Sequence, residues 1–103
     1  LVLRYILVDK IPVKWDNLME WAEWLEIDEN RFVKQDLLIN GTKISTVFLG
    51  VDQGFEPEHP ILFETMKFTK IGGLELIERY CTWDEAIKGH NDCVAECNQS
   101  INN

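Results

Sequence analysis

Arg31-Phe-Val-Lys-Gln-Asp-Leu-Leu-Ile39, then Asn40-Gly41, then Thr42-Lys-Ile-Ser-Thr-Val-Phe-Leu-Gly-Val51 is the stretch on which the fold depends. Two runs rich in β-branched and aromatic side chains flank Asn-Gly, a dipeptide suited to a two-residue type I′ turn because both central positions need positive φ. A hairpin closed there pairs Ile39 with Thr42, Leu37 with Ile44 and Val33 with Phe48. One face is then apolar except for Gln35 and Thr46, and Lys34, Asp36, Lys43 and Ser45 fall on the reverse face. Phe32, Val47 and Leu49, near the far end of that reverse face, predict that this end is covered on both sides.

Working outward, Arg4-Tyr-Ile-Leu-Val8 reads as a first strand closed by Asp9-Lys10 and Pro12. Asp16 is placed to cap a helix running to about Glu26. In it Leu18, Trp21, Ala22 and Leu25 form one stripe, broadened by Trp15, Met19 and Trp24, while Glu20, Glu23 and Glu26 stay outside. Gly50–His59 reads as a long surface loop. Beyond it a second hairpin is drawn from Ile61–Lys70 and Leu74–Thr82 about Gly72-Gly73. A two-residue turn there sets Lys70 opposite Glu75 and Lys67 opposite Glu78. Thr82-Trp-Asp-Glu85 is a capping-box pattern opening a helix from Trp83 to about Cys97, with Trp83, Ile87, His90, Val94 and Cys97 on its apolar stripe. Residues 98–103 read as a frayed polar tail. The order of elements predicts a single α+β domain over residues 1–103: an antiparallel β-sheet of about five strands with two helices packed on one face.

Composition supports one core. In 103 residues, four tryptophans, five phenylalanines and two tyrosines supply large buried area without disulfide staples. Ten basic against eighteen acidic residues give a net charge of −8, which opposes general attraction to nucleic-acid phosphates or anionic membranes and favours basic partners. No run of about 18 apolar residues is present to span a bilayer, and Leu1–Val8 is too short and wrongly flanked for a signal peptide. An odd count of three cysteines (Cys81, Cys93, Cys97) argues for reduced thiols and hence for the cytoplasm.

Few residues point to chemistry. On the drawn register Glu64 shares a face with Leu62, Met66, Phe68 and Ile77 and lies diagonal to Arg79, so the two are candidates for a ligand site, with a structural ion pair as the alternative. His90, on the apolar helix stripe, is a candidate base or ligand contact, with a hydrogen-bonded core histidine as the alternative. An enzymatic reading would pair it with Glu64. His90, Cys93 and Cys97 at i, i+3 and i+7 would offer soft metal ligands, but no second cluster completes a tetrahedral site, so no metal or cofactor is expected. Asp52, Glu56, Glu58 and His59 crowd one loop without calcium-loop spacing. Asp52 is therefore kept as a ligand candidate, and Phe55, Glu56, Glu58 and His59 as candidates for contact with a partner protein. No P-loop, dinucleotide fingerprint, nucleophile elbow or HExxH motif occurs, so nothing in the chain supports an enzyme.

Ile44-Ser-Thr-Val-Phe-Leu-Gly-Val-Asp52, Pro60-Ile-Leu-Phe-Glu-Thr-Met66 and Arg79-Tyr-Cys-Thr-Trp-Asp-Glu-Ala86 with Gly89-His90 together resemble a family of small uncharacterised bacteriophage and prophage proteins. The resemblance covers about residues 40–90. It departs after Met66, where Lys67-Phe-Thr-Lys70 replaces a more apolar, glycine-ended run, and in the acidic Gln53-Gly-Phe-Glu-Pro57. It implies a phage accessory protein in the cytoplasm of a bacterial host, carries no activity to transfer, and leaves three readings. The first is a non-catalytic protein that binds a host or phage component, with inhibition of a host defence system as one outcome and acidic mimicry of nucleic acid as one means. The second is a module that binds or sequesters a nucleotide-like small molecule. The third is a small enzyme using Glu64 and His90. Homo-oligomerisation is compatible with all three.

Overall fold

The computed structural model describes residues 2–102. Its elements in chain order are β1 (Tyr5–Val8), β2 (Ile11–Lys14), α1 (Leu18–Glu26), α2 (Asp28–Arg31), β3 (Phe32–Leu37), β4 (Lys43–Phe48), β5 (Phe63–Phe68), β6 (Leu74–Tyr80) and α3 (Trp83–Asn102). The chain is α+β, as expected, but there is not one sheet of five strands. A two-stranded hairpin, β1-β2, stands beside a four-stranded antiparallel meander, β3-β4-β5-β6. Three helices replace the expected two, because Asp28–Arg31 makes a short helical turn ahead of β3.

The first departure from expectation has a local cause. Asp9 and Lys10 both adopt positive φ, 51° and 70°, and close a two-residue turn between Val8 and Ile11. The chain thus returns on itself, and Pro12, whose place in the sequence suggests the end of a strand, sits inside β2 opposite Leu7. A strand at the edge of a two-stranded ribbon can do without one amide donor. The type I′ backbone expected at Asn40-Gly41 therefore occurs here instead.

At Asn40-Gly41 only Gly41 is left-handed, with φ +86°. The Leu38 amide donates to Thr42 O at 2.7 Å and the Gly41 amide to Leu38 O at 2.9 Å. This is a three-residue loop in which glycine takes the bulge position. Relative to the expected hairpin the pairing slips by one residue, so that Leu37 faces Lys43 and Asp36 faces Ile44. Such a slip exchanges the faces of a strand. Leu38, Asp36 and Lys34 turn toward the helices, while Leu37, Ile39 and Gln35 turn out. An irregularity between Phe32 and Lys34 lets Val33 still reach the core. Phe32, expected to be covered, is half exposed. The orientation of β4 holds, with Thr42, Ile44, Thr46 and Phe48 all buried.

The second hairpin repeats the device. The Thr69 amide donates to Gly73 O, and Gly72 takes φ +91°, so the loop is Lys70–Gly72 rather than Gly72-Gly73. Lys67 consequently pairs with Glu75, not Glu78, and Glu64 sits directly opposite Arg79 rather than diagonal to it. Leu62 and Ile77 face the core side and do not share the Glu64 face.

All the helical packing is on one face of the four-stranded sheet. The α1 cap is Asn17, not Asp16: Asn17 Oδ1 accepts from the Glu20 amide at 3.0 Å. The capping box of α3 forms as read, the Glu85 amide donating to Thr82 Oγ1 and the Thr82 amide to Glu85 Oε1, both at 3.1 Å. The helix then runs past Cys97 to Asn102 because Ile101 continues the buried stripe against Leu38, Ile44 and Cys93. Trp24 of α1, Phe48 of β4, Phe63 of β5 and Trp83 of α3 meet edge to face, with centroids 5.6, 5.3 and 6.3 Å apart. Each such contact contributes about 0.5–1.5 kcal/mol beyond burial, so this row ties both long helices to the two central strands.

Candidate functional site

The inward face carries a polar line across the apolar core. The fully buried His90 of α3 bonds through Nδ1 to Thr46 Oγ1 of β4 at 2.7 Å and through Nε2 to Asp36 Oδ2 of β3 at 2.7 Å. Thr46 meets Thr65 of β5 at 2.6 Å, and the Tyr80 hydroxyl of β6 donates to Thr65 Oγ1 at 3.1 Å. One residue of the helix is thereby connected to all four strands.

One arrangement of protons satisfies every member. With Asp36 accepting from Nε2–H, Nδ1 accepts from Thr46, Thr46 accepts from Thr65, and Thr65 accepts from Tyr80. Burial pushes the Tyr80 hydroxyl above its ordinary pKa, countered in part by its bond to Thr65, so it stays a donor at neutral pH. Carboxylate, imidazole and hydroxyl stand in the order of an acyl-transfer triad. Thr46, however, has no exposed surface and its second bond goes to Thr65. In this conformation the line holds helix to sheet and presents no reactive atom to a substrate.

The outward face is different. Its side chains come from alternate positions: Phe32, Gln35 and Leu37 of β3, Lys43, Ser45 and Val47 of β4, Glu64, Met66 and Phe68 of β5, and Leu74, Leu76 and Arg79 of β6. The helices all pack on the other side. Leu37 is 75% exposed and Leu74 63%, and the two hairpin tips beside them present Ile39 at 92% and Ile71 at 96%. The tips are in contact, since a Cβ on Gly41 would meet Lys70 at 2.9 Å. Lys43 lies over the Phe68 ring at 4.5 Å. This face and its tips hold Lys43, Lys70 and Arg79 against Glu64 alone, while the rest of the chain has seven bases to seventeen acids.

The expected site residues are spread over three places. Glu64 and Arg79 are together, Arg79 Nε donating to Glu64 Oε1 at 3.1 Å, but on the open outer face. His90 lies under the opposite face, so Glu64 and His90 do not share a site. Asp52 is consumed by the loop: its Oδ1 accepts from the Gly54 and Ile61 amides at 2.8 and 2.9 Å and staples the loop's two ends. On that loop Phe55 is fully exposed, and Glu56, Glu58 and His59 are exposed around it. Cavities of about 380, 310 and 350 Å³ are present, and none is lined by Glu64, Arg79 or His90. Among the described residues no three His, Cys, Asp or Glu side chains gather to hold a metal ion, and no helix is long and apolar enough to cross a membrane.

Sequence reasoning missed Asp36, Thr46, Thr65 and Tyr80 as a group. Thr46 gave a signal, being a polar residue in the buried phase of β4. Asp36 gave none, because the two-residue turn expected at Asn40-Gly41 puts it on the outer face, and only the one-residue slip brings it inside. No protein-family model, curated protein or solved structure matches this chain.

Proposed function

We propose that this is a non-catalytic binding protein whose open sheet face docks a partner protein with an apolar centre and an acidic rim. The observation that carries the reading is the second apolar face of the sheet, left without a covering layer. Four strands about 4.8 Å apart and about six residues long make a footprint of roughly 400 Å² in projection. Side-chain relief and the Ile39 and Ile71 tips extend it toward the roughly 800 Å² that one partner contributes to a standard interface. Exposed apolar patches of this size on a monomer are often functional. The surplus of Lys43, Lys70 and Arg79 over Glu64 sets the sign of the rim, in a chain that is otherwise acidic. In the phage setting that the resemblance implies, the partner is a host or phage protein, and inhibition of a defence system is one consequence of occupying it.

This reading differs from acidic mimicry of nucleic acid, which would use the glutamate-rich helices and lose affinity steeply with salt. A photo-crosslinker placed at Leu74 and, separately, at Glu23 distinguishes the two in a bacterial lysate. Crosslinking of one identified protein from Leu74, through a segment bearing carboxylates and lost in Leu37→Asp, supports the open face. Crosslinking from Glu23 alone, with binding abolished by moderate salt, would refute it. A concentration-dependent dimer abolished by Leu37→Asp would instead assign the face to a second copy of the chain.

A further inference from the structure

Cys93 and Cys97 stand one turn apart, at i and i+4, on α3. Both line the cavity of about 380 Å³ between the C-terminal half of the helix and the hairpin-tip end of the sheet, beside Lys67 and Ser100. On an α-helix, Cβ atoms at i and i+4 are about 5–6 Å apart, whereas a disulfide holds them at about 3.8 Å. The helix therefore keeps the two sulfurs reduced and adjacent. A single metal ion between them, with metal–sulfur bonds of roughly 2.3 Å, spans the gap without unwinding the helix.

We propose that Cys93 and Cys97 form a two-sulfur site for a thiophilic monovalent cation of the copper(I) class. Zinc lacks its tetrahedral set here, since both His90 nitrogens are engaged by Thr46 and Asp36 and, among the described residues, no third His, Cys, Asp or Glu joins the thiols. Soft thiolate ligands select copper(I). A monovalent ion on two thiolates leaves one net negative charge, less than a bare thiolate pair would carry, in a cavity wall that holds Lys67 together with Glu75 and Glu96. On binding, two S–H bonds break, two sulfur–metal bonds form, two protons pass to solvent, and no atom changes oxidation state.

The test offers copper(I), under anaerobic conditions, from a chromophoric chelator to the full-length chain. The site should withdraw one equivalent and release two protons, with the helical circular dichroism unchanged. Cys97→Ser, at a half-buried position that tolerates the swap, should weaken retention by at least about tenfold. Cys81→Ser, on the far side of the molecule, should leave it intact. Failure to compete with the chelator, or equal loss in Cys81→Ser, would overturn the assignment.

Discussion

His90 and Gly89 are neighbours, and each shows how one side chain, or its absence, decides the packing of α3. His90 satisfies the Thr46 hydroxyl of β4 and the Asp36 carboxylate of β3 at once, and Thr46 also bonds Thr65, so Thr46→Val leaves both a buried imidazole nitrogen and Thr65 short of a partner. A loss of about 1–3 kcal/mol is expected. Because the line acts as a unit, combining Thr46→Val with Thr65→Val should cost less than the sum of the single changes by about 0.5–3 kcal/mol. Strict additivity in chemical denaturation would show that the hydroxyls act independently. At Gly89 a Cβ would stand 2.2 Å from the Tyr80 ring, which its bond to Thr65 holds in place. Helix propensity favours Gly89→Ala by about 1 kcal/mol, but overpacking against a fixed ring costs about 1–3 kcal/mol. A fall in Tm is expected, and a rise would mean that Tyr80 yields freely.

Among the elements, α1 is the one whose attachment is least redundant. It buries no residue fully and is held by Trp24 against Phe48 and by the Trp21 indole donating to Tyr5 O and Gly50 O at 3.2 and 3.1 Å. Its start rests on Asn17, so Asn17→Ala should destabilise by about 1 kcal/mol while Asp16→Ala does little. Equal effects of the two changes on urea unfolding would place the cap wrongly. The two hairpins β3-β4 and β5-β6 share a three-residue loop with glycine at positive φ. Gly41→Ala brings both a strained φ and a close approach to Lys70, for an expected loss of about 1–2 kcal/mol. Gly72→Ala, which meets nothing within 4 Å, should show the strain alone.

For the molecule as a whole, alkaline pH tests how well the core excludes charge. Burial, with the neighbouring Cys97 adding to it, pushes the Cys93 thiol up to about 11, and Tyr5, Tyr80 and Cys81 are raised in the same direction, chiefly by burial. An unfolded cysteine releases its proton near pH 8.5. Between that pH and about 11 the folded chain therefore holds protons that the unfolded chain has lost, and stability must fall as pH rises. Below about pH 8.5 this contribution is fully present. The urea midpoint should decline steadily from pH 8.5 to 11 and do so less in Cys93→Ser. A flat profile would mean that water reaches the thiol. At the same scale, an acidic molecule with a locally basic, apolar face is polarised.

Much of this was readable from residue order alone. The α+β class, both hairpins, the Thr82 capping box, the inward phase of β4 and the buried stripe of α3 with His90 in it all rest on contacts between near neighbours in sequence, where turn chemistry and periodicity operate. The register of the hairpins was a different matter. Asn-Gly satisfies a two-residue or a three-residue loop, and the choice between them shifts every partner by one and exchanges the faces of β3. Only packing against α3 and β5 separates the two, by burying Leu38, drawing Asp36 to His90 and releasing Leu37 and Ile39. For the same reason the Asp36-His90-Thr46-Thr65-Tyr80 line, whose members are up to 54 positions apart, and the open apolar face appear only once the strands are side by side. Local propensity specifies where a chain turns, but which side of a strand meets water is decided by what lies against it.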